Sequence, residues 1–129
     1  QLTFEVEVVS DSLAIYTGKI YNLPPGNYEA FIKGPAHLQR DMGSLTLAPD
    51  QTAFQDWSET ALLAGDFNGD NLLDIKDITA FLSVWTAPEV PVSQETEIYD
   101  LDNNGVLELS DIAIILTNWI NPEVGGEVP

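Results

Sequence analysis

The chain has 129 residues, enough for one ordinary domain or two small ones. Its 44% apolar content allows a packed core, and the lack of cysteine excludes disulfides, zinc–thiolate sites and thiol nucleophiles. A formal net charge of -17 disfavours nucleic acid and anionic membranes as partners, and no apolar run is long enough for membrane insertion.

The first part of the chain is predicted to form β-strands. Residues 2–8 alternate apolar and polar side chains, the pattern of a strand with one wet face. Pro24-Pro25-Gly26 predicts a turn, because proline presets its own φ and glycine tolerates a positive φ. We expect residues 1–58 to form a small β-sandwich-like module, without a helix of useful length. The predicted strands lie at residues 2–8, 13–21, 28–33 and 44–47.

Two twelve-residue stretches, which begin at Asp66 and Asp100, carry oxygen ligands at matching steps. Each has Asp or Asn at steps 1, 3 and 5, an acid at step 9 and Asp at step 12, and step 7 would supply a backbone carbonyl. This is the ligand spacing of an EF-hand calcium loop, so we predict two bound Ca²⁺ ions. The predicted ligands are Asp66, Asn68, Asp70, Leu72, Asp74 and Asp77 in loop 1, and Asp100, Asp102, Asn104, Val106, Glu108 and Asp111 in loop 2.

Charge and loop chemistry support these sites. Residues 61–129 hold 13 of the 21 acidic residues and only one lysine, so two calcium ions would relieve part of the repulsion. Step 6 of such a loop requires a positive φ, which Gly105 provides and which Asn71 is expected to tolerate. Step 12 is usually Glu, and the shorter Asp found here favours a constitutive structural site over a sensor.

Each loop leads into a predicted helix. Loop and helix together form a unit that occurs twice, and equivalent residues of the two units are separated by the same number of residues as Asp66 and Asp100. The apolar positions step by three, four and three, which places them on one helix face, and we expect the two stripes to pack on each other. Residues 86–97 are predicted to be a connector with little helix, and residues 121–129 a tail. The stripes are Ile75, Ile78, Leu82 and Trp85, then Leu109, Ile112, Leu116 and Trp119.

The second part resembles a dockerin module of the first type. Gly65 directly precedes Asp66, and a short polar stretch precedes Tyr99, so there is little room for the entering helix of a standard EF-hand. The resemblance covers residues 62–120 and implies an all-α pair of calcium loop–helix units. The overall prediction is therefore an α+β chain in two parts. Residues 21–28 are also similar to turns of surface β-sandwich modules, which fits a supporting role for residues 1–58.

The resemblance also implies a protein partner. Dockerins bind cohesin modules through steps 10, 11, 17 and 18, and either helix can present the same surface. The chain departs from the usual Ser-Thr and basic pairs at these steps, so core packing is the alternative role of the apolar members. Carried over to this chain, the partner-binding positions are Ile75, Lys76, Leu82, Ser83, Leu109, Ser110, Leu116 and Thr117.

We therefore predict a calcium-stabilised protein–protein interaction module of an extracellular or cell-surface protein, with a cohesin-like partner. The alternative is a structural subunit of an extracellular assembly that binds copies of itself by strand exchange or β-domain contacts. An enzyme is not expected, because His37 is the only histidine and the calcium pattern accounts for the acid pairs.

Overall fold

The structure is a computed structural model that describes residues 9–10, 16–119 and 124–129. The chain divides into two compact units, one of residues 1–28 and 44–60 and the other of residues 29–43 and 61–129. The boundaries expected from the sequence, 1–58 and 62–120 with a tail, stay a prediction. The predicted strand at 2–8 lies outside the described residues.

Short strands form the first part of the chain, as predicted. Strand β1 (Val9–Ser10) pairs antiparallel with β2 (Tyr16–Thr17). Strand β3 (Gly26–Ile32) pairs with β4 (Arg40–Leu47), and these are the predicted third and fourth strands. The Tyr28 hydroxyl donates to the Pro24 carbonyl across the predicted turn. Among the described residues the strands form two-stranded ribbons, which fits the small β part of the prediction.

Within the second unit, the turn between β3 and β4 pairs with the segment that leads into loop 1. The Leu38 N–H donates to the Leu63 carbonyl at 2.8 Å, and the Gly65 N–H donates to the Ala36 carbonyl at 2.7 Å. Ala36 and Leu38 are buried, and Leu38 belongs to the core cluster. The arrangement holds the start of loop 1 beside the β3–β4 turn.

The remainder of the second unit follows the internal repeat. Each loop contains a two-residue strand and ends in a ten-residue helix, and each strand pairs with a segment that follows the other repeat's helix. A short 3₁₀ helix, Glu97–Tyr99, leads into loop 2. The elements are β5 (Leu72–Leu73), α1 (Ile75–Val84), β6 (Val90–Pro91), β7 (Val106–Leu107), α2 (Leu109–Asn118) and β8 (Val124–Gly125).

The prediction that the second part is all-α is wrong. The ribbons β5–β8 and β6–β7 make it a mixed α/β structure, with two short helices between small sheets. The physical reason is that the extended residues of each loop leave backbone groups that a helix cannot satisfy. The Val92 N–H donates to the Gly105 carbonyl at 3.0 Å, and the Gly126 N–H donates to the Asn71 carbonyl at 2.8 Å.

Equivalent positions of the two repeats build the core. Leu73 and its equivalent Leu107 are completely buried, and so are Phe81 and its equivalent Ile115. The expectation that the whole apolar stripe of each helix packs inward is wrong for two of its four residues, which are exposed. Phe81 directly precedes Leu82, about 100° around the helix, and the buried face turns toward Phe81. The exposed stripe members are Ile75, Leu82, Leu109 and Leu116.

Candidate metal centre

The two loops share one backbone conformation. Steps 4 and 6 have positive φ in both: Gly69 at 76° and Asn71 at 65° in loop 1, and Asn103 at 55° and Gly105 at 87° in loop 2. Loop 1 thus has glycine at step 4 and asparagine at step 6, and loop 2 has them in the reverse order. The expected left-handed conformation of Asn71 is confirmed, and the resulting curvature turns the loop's N–H groups toward its first ligand.

The step-1 carboxylates are buried at the centre of these N–H groups. Asp66 accepts bonds from the N–H of Gly69 at 2.8 Å and of Asn71 at 3.1 Å. Asp100 accepts the N–H of Asn104 at 3.1 Å and of Gly105 at 2.9 Å, and the Gly105 bond is the equivalent of the Asn71 bond in loop 1. These bonds fix the orientation of each carboxylate.

The step-12 carboxylates close each loop onto its helix. Asp111 is completely buried and accepts the N–H of Leu101 at 2.8 Å and of Glu108 at 2.9 Å. Asp77 accepts the N–H of Phe67 and of Asp74, both at 2.9 Å. A carboxylate has about four lone-pair positions, so each of these groups retains acceptor capacity for a cation.

Buried carboxylates concentrate negative charge in both loops. Burial is the main cause that raises the pKa of Asp77 above its usual value, and the nearby Asp66 carboxylate raises it further. In loop 2, one carboxylate oxygen from each of Asp100, Asp102 and Asp111 lies within 4.8 Å of the others. Converging oxygen atoms with excess negative charge suit a hard cation such as calcium, so this donor set fits a metal ion.

The predicted ligands at steps 3 and 5 lie at the loop surfaces, whereas Asp74 at step 9 of loop 1 is buried. Asp70 accepts the Leu72 N–H at 3.0 Å, and Asn104 accepts the Val106 N–H at 2.9 Å, so the step-5 side chains order the step-7 residues. Asn104 also donates to Glu108 at 3.1 Å, and in loop 1 Asn68 donates to Asp70 at 3.2 Å. Among the described residues, the structure thus brings together the carboxylates of Asp100, Asp102 and Asp111, and the remaining ligand assignments stay a prediction.

Two lysines that the ligand prediction omitted contact loop 1. Lys33, from the β3–β4 turn, forms an ion pair with Asp66. Lys76 contacts Asp70 at 2.9 Å and Asp74 at 3.3 Å. The hydrogen bond that Lys76 donates to Asp70 is the main reason that the pKa of Asp70 lies below its usual value. The same bond, and then the bond to Asp74, raise the pKa of Lys76. The contact of Lys33 with Asp66 depends on the position of the β3–β4 turn, so no local sequence pattern predicts it.

The proposed partner-binding positions form two equivalent sets. Their apolar members are exposed by 61% at Ile75, 49% at Leu82, 66% at Leu109 and 52% at Leu116. Ser83 and Thr117 donate to carbonyls of their own helices, at 2.6 and 2.7 Å.

The step-11 residues of the two sets face the loop acids. Ser110 donates to Asp102 at 2.8 Å and to Glu108 at 3.1 Å, where the equivalent Lys76 binds Asp70 and Asp74. Leu109 also lines a shallow depression of about 510 Å³ with Trp85 and Pro88.

Comparison with known proteins supports the fold alone. No protein family and no curated protein sequence matches the chain. Among solved structures, the chain is similar to one from a C-terminal interface mutant of a type II cohesin–X–dockerin complex from Acetivibrio cellulolyticus. The TM-score is 0.57, the sequence identity is 20%, and the match covers 88% of this chain and 73% of that one. The chain therefore has a fold related to that of a cohesin–dockerin protein.

None of the helices in the described part of the chain has the length and apolar character needed to cross a membrane.

Proposed function

We propose that this chain is a calcium-stabilised protein–protein interaction module of an extracellular or cell-surface protein, and that it docks to a cohesin-like partner. The observation that carries the proposal is the pair of equivalent exposed apolar sets, Ile75 with Leu82 and Leu109 with Leu116. Large apolar side chains grouped on a helix surface are typical of protein interfaces. The cohesin–dockerin fold relative supports the choice of partner.

Calcium has a structural role in this proposal. It would bind the buried carboxylates of both loops and hold the helices that display the two surfaces. The twelve predicted ligands keep their proposed roles, and no catalytic role is proposed for any residue. Two equivalent surfaces would allow a partner to bind in either of two orientations related by the repeat.

The test is binding of the purified chain to immobilised type I and type II cohesin modules, with calcium and with excess EDTA. We expect a cohesin to bind in calcium and to dissociate in EDTA. If both surfaces act, Leu82→Asp and Leu116→Asp should each retain binding, whereas the double variant should lose it by at least about 100-fold, as for a buried interface anchor.

Phe54→Asp is the matched control, because Phe54 is the most exposed large apolar residue described and lies in the other unit. It should bind like the unchanged chain. Failure of the calcium-loaded chain to bind any cohesin, or full binding by the double variant, would contradict the proposal.

A further inference from the structure

The two loops differ in the cations that the protein itself supplies. The Lys33 ammonium contacts Asp66, the step-1 residue of loop 1, and donates to the His37 carbonyl at 3.0 Å. A carboxylate of loop 1 and a carbonyl of its own turn therefore hold it in place. The Asp66 side chain is completely buried, so this ion pair lies against the interior of the loop.

Among the residues that the structure describes, no lysine or arginine forms an equivalent ion pair with loop 2. No lysine or arginine follows Lys76 in the sequence, and Ser110 occupies the position that corresponds to Lys76. Each loop carries four acidic side chains among its predicted ligands, but loop 1 contacts two of the four basic residues of the chain. A calcium ion at loop 1 therefore meets a partly neutralised set of ligands, whereas at loop 2 it meets the full negative charge.

Lys33 is the more direct competitor of the two lysines. Lys76 contacts Asp70 and Asp74 from the surface, with 60% of its side chain exposed, and solvent screens its charge. The Lys33 side chain is 31% exposed and contacts a carboxylate that is fully buried. An ammonium group and a calcium ion that both bind this carboxylate repel each other, and the repulsion is strongest where water is excluded.

We propose that Lys33 is an internal competitor of calcium at loop 1, so that loop 2 fills first and loop 1 fills only when calcium displaces the Lys33 ammonium from Asp66. This inference rests on the proposed function, since it requires calcium in both loops. Release of Lys33 would also remove the ion pair that joins residues 29–43 to Asp66 of loop 1.

The experiment follows each loop separately in a calcium titration by ¹H–¹⁵N NMR. The Gly69 N–H donates to Asp66 and the Gly105 N–H donates to Asp100, so each amide signal reports its own loop. We expect Gly105 to saturate at about tenfold lower calcium than Gly69, a difference of about 1.4 kcal/mol. In Lys33→Met, the Gly69 curve should move about tenfold toward lower calcium while the Gly105 curve stays in place.

Two variants complete the design. Lys33→Arg keeps the positive charge and should leave Gly69 at the weak affinity of the unchanged chain. Lys19→Met removes the same charge from an exposed residue of the first unit and should move neither curve. Far-UV circular dichroism of each variant in saturating calcium verifies that it is folded.

The possible results are distinct. If both loops saturate but Lys33→Met leaves the Gly69 curve unchanged, or weakens calcium binding there, Lys33 does not compete and the inference fails while the proposed function stands. If neither glycine responds to calcium in the unchanged chain, the proposed role of calcium fails and this inference fails with it.

Discussion

The backbone N–H of Gly126 donates to the carbonyl of Asn71 at 2.8 Å, which fastens the end of the chain to the bend of loop 1. The equivalent bond of loop 2 runs from Val92 to Gly105, so both the donors and the acceptors are related by the repeat. The repeat therefore includes the segment that pairs with each loop as well as the loop and the helix.

We predict that Gly126→Ala destabilises the second unit by about 1–3 kcal/mol, the usual cost of an overpacked contact. An added Cβ would lie 2.0 Å from Asn71 Oδ1, and the Gln39 N–H holds that oxygen at 2.8 Å. Urea unfolding in calcium measures the effect. Gly125→Ala is the matched control, since its Cβ would make an ordinary 3.5 Å contact with Leu72; equal losses for both variants would contradict the prediction.

Removal of both calcium ions should unfold residues 62–120, so the ion pair of Lys33 with Asp66 belongs to the form that holds calcium in loop 2 alone. The buried carboxylates Asp66, Asp77, Asp100 and Asp111 would then repel one another without an ion, and an ion at about 100 times its Kd contributes about 2.7 kcal/mol. Far-UV circular dichroism in excess EDTA should show the loss of helix. Potassium chloride at matched ionic strength should not restore it, and an unchanged spectrum in EDTA would exclude a structural role for calcium.

Asp111→Ala should bind one calcium ion fewer per chain, measured by titration calorimetry. It should also lose roughly 2 kcal/mol or more of stability, because the N–H groups of Leu101 and Glu108 lose their acceptor. Asp77→Ala should have the same effect on loop 1. The control is Asp56→Ala, an exposed carboxylate that accepts the Ser58 N–H. Unchanged stoichiometry in either loop variant would rule out that step-12 ligand.

The stability of the chain should depend on His37 between neutral and mildly acidic pH. Burial, and then the charge of Lys33, lower the pKa of His37 below its usual value of about 6.5. The unfolded state therefore binds the proton more tightly, and the free energy of unfolding should fall as the pH drops below about 6.5. The raised pKa of Asp77 acts in the opposite direction, but it is common to the unchanged chain and to a His37 variant.

The measurement for His37 is thus a difference between two chains. Urea unfolding from pH 7.5 to pH 5 should show a steeper loss of stability for the unchanged chain than for His37→Gln. Parallel pH profiles would mean that burial of His37 has no energetic consequence.

The loops and helices were predictable because their signals are local. Ligand spacing places Asp66 and Asp100 at step 1, and the step-12 Asp of each loop lies within the first turn of its helix. The direction of the buried face was less predictable, because Phe81 and Leu82 are adjacent apolar residues and only packing decides which one is buried.

The paired strands were missed because each has only two residues and pairs with a distant segment. One signal was present: Pro88-Glu89-Val90 recurs as Pro122-Glu123-Val124, with the same offset as the two loops. Extending the repeat past the helices would have indicated two equivalent extended segments at Val90 and Val124. The contact of Lys33 with Asp66 had no such signal, since it depends on how the β3–β4 turn meets the start of loop 1.

The crossed pairing of β5 with β8 and of β6 with β7 means that neither repeat is self-sufficient. A single repeat cut from this chain would have both its loop strand and its trailing strand unpaired. In two copies of that repeat, the loop strand of each copy could pair with the trailing strand of the other. A peptide of one repeat should therefore form a two-fold symmetric dimer in calcium. The intact chain makes the same strand pairs within one molecule.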